Sequence, residues 1–301
     1  MGKLALYALG GNALAPPKNG ADTSAEVLAK VMSDIIDLLE MDWRVVITHG
    51  NGPQVGHLLS LDEMCSHSLD EWVAATQGII GHQLSMNLQA ILERRHRPER
   101  TAVVLTRVAV DPNDAGFSWP TKPIGPVLDA KTVMSVDWDI AETIAGPRRV
   151  VASPKPLSVM ELDVVRQLVE LQAVVVCGGG GGIPVVQFNG GYRGVPAVVD
   201  KDLFSSCLAV GLAADALIIT TEADAIYRNF GKPNAQSCPV LSVAELHALE
   251  QAGEFPAGSM APKARALREY VTAVADGKAV LCQPGDVLDA LRGAAGTTVT
   301  P

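Results

Sequence analysis

Aromatic side chains are scarce in this chain: Phe, Trp and Tyr make up 4% of its 301 residues, although 48% are hydrophobic. The interior must therefore be mostly aliphatic, as in parallel sheets covered by helices. Cysteine is sparse too. Cys65, Cys177, Cys207, Cys238 and Cys282 are odd in number and widely spaced, with no C-x-x-C pair. That fits reduced cytosolic thiols better than disulfides or a zinc site. The histidines show no metal-ligand spacing. No run of 18 apolar residues occurs, and the N-terminus reads as a short strand rather than a signal sequence. A cytoplasmic protein is expected. Basic residues are in deficit, 24 against 33 acidic, for a net charge of −9. Such a balance argues against nucleic acid or an anionic membrane as partner. It leaves a small phosphate ligand open, because one site needs only local lysines.

Two nucleotide fingerprints are missing as well. G-x-G-x-x-G started from Gly178 or Gly179 fails at Ile183 or Pro184. Walker A fails because Gly231-Lys232 runs into Pro233 and Gly277-Lys278 into Ala279. A dinucleotide enzyme and a P-loop ATPase both lose ground.

What the chain does have is four glycine-rich turns: Leu9-Gly10-Gly11-Asn12, His49-Gly50-Asn51-Gly52-Pro53, Cys177 followed by Gly178 to Gly182, and Gly258-Ser259-Met260-Ala261-Pro262-Lys263. The first three follow runs of Val, Leu and Ile that read as buried parallel strands. Glycine lets backbone approach a ligand closely, and a following helix aims unpaired N–H groups at it. Several such turns point to an anionic, phosphorylated ligand along one sheet edge.

The alternation of elements predicts a largely parallel sheet with helices on both faces. Helices are expected over 24–42, with Ser24 as N-cap, over 69–96, 158–171, 200–212, 242–251, 262–275 and 286–291. Strands are expected at 3–9, 44–48, 101–107, 173–176, 216–220, 279–281 and 297–299, with a hairpin turn at Asn189-Gly190-Gly191. Gly78 and Gly81 sit inside the long second helix, at roughly 1 kcal/mol each against alanine, and call for close packing. Between about 112 and 156 periodicity breaks and prolines cluster (112, 120, 123, 126, 147, 154 and 156). This stretch reads as a protruding lid with a small core of Val127, Val133, Val136, Trp138, Ile140 and Ile144.

Three lysines keep unusual company. Lys122 stands in Thr121-Lys122-Pro123-Ile124-Gly125-Pro126, between prolines that limit the backbone. Lys201 lies between Asp200 and Asp202, and Lys263 begins a helix. Phosphoryl transfer needs positive groups that clamp charge on the moving phosphate. Any single lysine is more often a solvated surface residue, and Asp200-Lys201-Asp202 alone fits equally a helix cap with a salt bridge. His49 reads as a structural residue of its loop, not as a base.

The ordered set of Leu9-Gly10-Gly11-Asn12-Ala13, His49 to Gly56, Thr121 to Pro126, Ser153-Pro154-Lys155-Pro156, Gly178 to Pro184, Val199-Asp200-Lys201-Asp202, Asp224-Ala225-Ile226-Tyr227, Gly258 to Lys263 and Ala295-Gly296-Thr297 resembles the carbamate kinase family, collinearly over the whole chain. The resemblance implies the amino-acid-kinase fold, an α/β three-layer αβα sandwich with a largely parallel sheet and a protruding lid subdomain. It implies one domain over 1–301. Within it, 1–172 would carry the acyl-acceptor half, including the lid at about 112–156, and 173–301 the nucleotide half. It further implies reversible transfer between ATP and carbamate with Mg²⁺, usually making ATP from ADP and carbamoyl phosphate, and a homodimer.

By that resemblance Lys201 and Lys263 stabilise the moving phosphoryl, Asp202 orients them, and Lys122 covers the reaction from the lid. Backbone N–H groups of Gly10, Gly11, Asn12, Gly50, Asn51 and Gly52 cradle the acceptor. Gly178, Gly179, Gly180, Asp224, Tyr227, Lys232 and Met260 fall where the nucleotide is held, and Mg²⁺ is left mainly to phosphates and water. Related kinases with larger acceptors carry a lysine before the first Gly-Gly, where this chain has Tyr7-Ala8-Leu9. Lys122 is the source of the replacement charge. The chain departs from the family at His82-Gln83, at Gly146-Pro147 and in a somewhat short lid. Two other readings stay open: a paralogue acting on another small carboxylate or carbamate, and a nucleotide sensor that kept the fold without turnover.

Overall fold

The computed structural model describes residues 2–10, 23–62, 66–143, 145–256 and 258–301. Its centre is an eight-stranded sheet, ordered Val240–Ser242, Thr297–Thr300, Lys278–Cys282, Ala216–Thr220, Leu4–Leu9, Arg44–His49, Ala173–Cys177 and Arg100–Val104. Neighbours are parallel except where Thr297–Thr300 meets Lys278–Cys282. The central strands are apolar throughout because each has two buried faces. In Leu4–Leu9, alternate residues Leu4, Leu6 and Ala8 enter one core, and Ala5, Tyr7 and Leu9 the other. Helices Thr23–Glu40, Leu69–Arg94 and Val287–Leu291 cover the second face, and Leu162–Glu170, Lys201–Gly211, Val243–Gln251 and Met260–Ala273 cover the first. The expected three-layer αβα arrangement is what forms.

A second sheet orders Gly191–Gly194, Ile183–Phe188, Arg107–Val110 and Pro156–Val159. It corrects two expectations. The strand foreseen over 101–107 is two strands in different sheets, broken at Leu105-Thr106. The helix foreseen over 158–171 begins only at Leu162, because Pro156–Val159 pairs antiparallel with Arg107–Val110. Proline is tolerated as the first residue of such an edge strand. The hairpin at Asn189-Gly190 does form: Phe188 pairs with Gly191, and both turn residues have positive φ (47° and 78°), as a tight primed turn requires.

Lys122–Ile124, Gly146–Val151 and Ile140–Thr143 make a three-stranded antiparallel sheet, with the short helix Ala130–Ser135 beside them. This is the stretch expected to form a lid, and its apolar anchor differs from expectation. Val127 and Trp138 are exposed, and Trp138 lies under the Arg149 guanidinium at 4.5 Å. Burial goes instead to Ile124 and Val151, which join Val55, Leu69, Val73 and Val198 of the main body. A sheet this small cannot enclose its own core, so it packs its apolar edge onto the larger domain. Ile144 and the side chain of Ser24 lie outside the described residues.

Of the two helix glycines, Gly81 has a reason: a Cβ there would stand 2.5 Å from Val103 Cγ1 of the neighbouring strand. Gly78 faces open space, and nothing in the fold explains it.

Candidate active site

Parallel pairing brings the carboxyl ends of Leu4–Leu9, Arg44–His49, Ala173–Cys177 and Ala216–Thr220 to one edge of the sheet, where open α/β sheets bind ligands. Three glycine turns leave from there. Gly50 N–H donates to Leu9 O at 3.2 Å, and Gly10 lies so near Thr220 that a Cβ would be 3.1 Å from its carbonyl oxygen. The turn after Cys177 needs glycine for both conformation and space. Gly178 and Gly180 have φ of 61° and 65°, and a Cβ at Gly180 would meet the Asn51 side chain at 2.2 Å. At Gly179 a Cβ would meet the His49 ring at 2.3 Å. Gly179 and Gly180 are therefore packed against the His49–Asn51 loop, and Gly178 against the Phe204 ring. Gly11 and Asn12 lie outside the described residues.

Two polar residues that the sequence reading passed over fix these loops. Gln77 donates to Thr106 O (3.1 Å) and Gly179 O (2.9 Å) and accepts from Thr106 N–H (2.8 Å). Its neighbour Thr76 accepts from Asn51 Nδ2 at 2.9 Å. Both lie on the buried face of Leu69–Arg94, among Val73, Ile80 and Leu84. Polar residues inside an apolar stripe are the signal that could have found them. His49 is buried, with Nδ1 3.0 Å from Gly50 O, so Nδ1 carries the proton. Burial, reinforced by the Lys201 charge, pushes its pKa down to about 4, although the bond to Gly50 opposes this. The ring is neutral and holds the loop.

The lysines converge. Asp200 caps the helix Lys201–Gly211, its Oδ1 accepting from the N–H groups of Asp202 (2.9 Å) and Leu203 (3.4 Å). The first helical residue, Lys201, is buried, with Nζ 2.7 Å from Asp202 Oδ1 and 3.2 Å from Ala8 O. Lys263, from the first turn of Met260–Ala273, places Nζ 3.0 Å from Asp202 Oδ2. Lys122 reaches down from the lid to Asp200 Oδ2 at 2.5 Å. Burial alone would raise the Asp202 pKa, but the two ammonium groups outweigh it and hold the carboxyl below its usual range. For Lys201 burial wins and lowers the pKa, against the pull of Asp202; for Lys263 burial also lowers, but Asp202 outweighs it and the pKa rises. Three ammonium groups thus gather on two carboxylates, with Glu222 adding a further negative charge near Lys263.

The remaining candidates are more dispersed. Asp224 accepts from the Tyr227 hydroxyl (3.0 Å), and the Tyr227 ring meets Phe230 at 5.8 Å, both on the surface beyond Ala216–Thr220. Met260 packs against the core beside Lys263, while Lys232 is exposed on a turn of its own. Among the described residues no group of three His, Cys, Asp or Glu could hold a metal ion.

Residues 3–279 match the model of the amino acid kinase family. The chain belongs to that family. It is 39% identical to a carbamate kinase of Halobacterium salinarum, over 98% of each chain, and 39% identical to carbamate kinase 1 of Enterococcus faecium, over 93% of each. The fold is similar to that of carbamate kinase from Giardia lamblia bound to AMP-PNP, with a TM-score of 0.88 and 33% identity over 99% of this chain and 98% of that one. The protein is a phosphotransferase, as the carbamate kinases it matches are, and its lysine cluster sits at the carboxyl edge of the sheet.

Proposed function

We propose that this protein is a carbamate kinase, exchanging a phosphoryl group between carbamoyl phosphate and ADP on one side and carbamate and ATP on the other. One observation carries the reading: Lys201 and Lys263 flank Asp202, and Lys122 arrives beside them on Asp200. The preorganised positive charge matches the equatorial oxygens of a phosphoryl in transit. At about 4 Å and an effective dielectric near 20, each charge pair is worth roughly 4 kcal/mol.

Residues 1–172 would supply the acceptor side, with backbone N–H groups at Gly10, Asn51 and Gly52, and with Gly11 and Asn12; the Gly50 N–H, expected among them, is engaged by Leu9 O instead. Residues 173–301 would hold the nucleotide through Gly178, Gly179, Gly180, Asp224, Tyr227, Lys232 and Met260. The lid would exclude water from the labile acyl phosphate while delivering Lys122. Mg²⁺ fits this donor set as a phosphate-bound ion, since both central carboxylates already face ammonium groups. When bound it would neutralise charge between the phosphates.

We assign the protein to the cytoplasm, in keeping with free Cys177, Cys207, Cys238 and Cys282; among the described residues no helix is long and apolar enough to cross a membrane. A homodimer is supported by Ile79, His82, Gln83 and Met86, all exposed on one face of Leu69–Arg94. They lie beside exposed Val103 on the edge strand Arg100–Val104. Apolar residues beside an open strand edge suit a self-complementary interface.

A coupled assay of ATP formation from ADP and carbamoyl phosphate tests the function. Turnover with carbamoyl phosphate is expected. Turnover only with a different acyl phosphate would indicate the paralogue, and nucleotide binding without turnover the sensor.

A further inference from the structure

The Lys122–Asp200 pair does something that neither the cap nor the lysine cluster requires. A helix cap needs one carboxylate oxygen, and Asp200 Oδ1 already serves Asp202 N–H and Leu203 N–H. The cap fixes the carboxylate and leaves Oδ2 aimed outward, where it meets the lid lysine at 2.5 Å. Both side chains are largely shielded there, at 24% and 11% exposure. Among the described residues the seat also has short-range backbone and apolar contacts. Gly125 N–H donates to Gly52 O at 3.3 Å, and Ile124 and Val151 pack on Val55 and Val198. Without Asp200, the Lys122 ammonium would come down beside a carboxylate, Asp202, that Lys201 and Lys263 already share.

We propose that Asp200 is a positioning residue for the lid: its free oxygen docks Lys122 in the absence of substrate and so seats residues 121–126 against the glycine turn at Gly52. The helix cap and the lid dock are the two ends of one carboxylate. The dock must also be exchangeable. A phosphoryl dianion arriving beside Lys122 carries more charge than the Asp200 carboxylate and can draw the lysine over without the lid reopening. The lysine's purpose rests on the phosphoryl-transfer reading, but the docking itself is measurable in the free protein, whichever acyl phosphate the enzyme uses.

The variant that separates the two ends is Asp200→Asn. Asparagine caps a helix about as well as aspartate but carries no charge for Lys122. Hydrogen exchange of the free, full-length protein should show the 121–126 amides, Gly125 above all, opening roughly fivefold faster or more, the loss of about one kcal/mol of ion pairing. Amides of Lys201–Gly211 should stay within about twofold of the parent. Lys122→Met should reproduce the lid effect, and the double variant should add nothing to either single one. Raising the salt concentration should quicken lid exchange in the parent and leave the Asp200→Asn protein unmoved. Lid exchange equal to the parent's in Asp200→Asn would overturn the proposal. So would parallel loosening of Lys201–Gly211, which would make Asp200 a helix cap alone. Should Asp200→Asn fail to fold, unchanged lid exchange in Lys122→Met decides against it equally.

Discussion

The centre and the lid each bring lysine to a carboxylate, but by opposite means. Lys201 and Lys263 stand on helices that bury their neighbours in the main core, and they share Asp202, whose side chain is 3% exposed. Their geometry is set when the domain folds. Lys122 stands on a three-residue strand of a small sheet, held to the body by apolar side chains, the Gly125–Gly52 backbone hydrogen bond and the Lys122–Asp200 ion pair. Its geometry is set by where the lid rests. On the proposed reading, charge that must always be present belongs in the core, and charge that must also admit substrate belongs on a part that can move.

The comparison breaks first, and hardest, at Asp202. Asp202→Asn leaves Lys201 and Lys263 close together with no anion between them. We expect turnover to fall by about 10³ or more and the fold to lose roughly 3 kcal/mol, because a buried pair loses one partner. Initial rates and denaturant unfolding would measure the two losses. Full activity in this variant would mean that the shared carboxylate does not organise the lysines.

On the lid side, Lys122→Ala should cost about 10² in kcat while ADP affinity stays within about threefold. Unfolding stability should barely move, since this pair lies at the edge of the body. Steady-state rates together with nucleotide titration separate the effects. An unchanged kcat would remove the lid lysine from the chemistry.

These two sides were also unequally legible in the sequence. The glycine turns, the strand–helix alternation and the three lysines stood out because each breaks a local rule: glycine at strand ends, lysine between prolines or between aspartates. The lid's packing did not stand out. Trp138 and Val127 look like core residues by composition, yet the core they would need is too small to exist alone, and only the main body could bury Ile124 and Val151. The strand Pro156–Val159 was hidden for a similar reason, since its partner Arg107–Val110 is far away in sequence. Asp200 was readable as a cap, but its bond to Lys122 depends on how the lid folds across a separation of 78 residues.

Acid should act on the core through two buried groups. The His49 pKa is pushed down to about 4 from 6.5, so between those values the unfolded chain binds a proton that the folded chain refuses. Stability from this residue is complete above pH 6.5 and is lost as pH falls toward 4, by about 3 kcal/mol at most. Asp34 runs the other way. Burial raises it to about 6, against hydrogen bonds from Gly285 N–H and the Tyr7 hydroxyl, so its protonation favours the fold as pH falls from 6 to 4. Unfolding of His49→Gln and Asp34→Asn across this range should show the acid-side slope flattened in the first and steepened in the second. Identical slopes in both variants and the parent would show that neither group titrates as its burial requires.

The smallest effect should come from the seam between the two regions. Gly56 lies in the helix Gly52–Leu61, and a Cβ there would stand 1.9 Å from Gly125 N and 2.0 Å from Gly125 Cα. Backbone cannot yield as a flexible side chain does, so Gly56→Ala must push the lid off the helix. The helix itself should gain slightly, because alanine is the better helix former by about 1 kcal/mol. Overpacking at the seam costs a similar 1–3 kcal/mol, so global stability should change little. Turnover should nonetheless fall roughly tenfold, since a displaced lid carries Lys122 out of reach of the phosphoryl group. Rates measured beside unfolding midpoints give the answer. A loss of stability that matched the loss of rate would mean that seam and core fold as one unit, and the distinction between fixed and delivered charge would have to be given up.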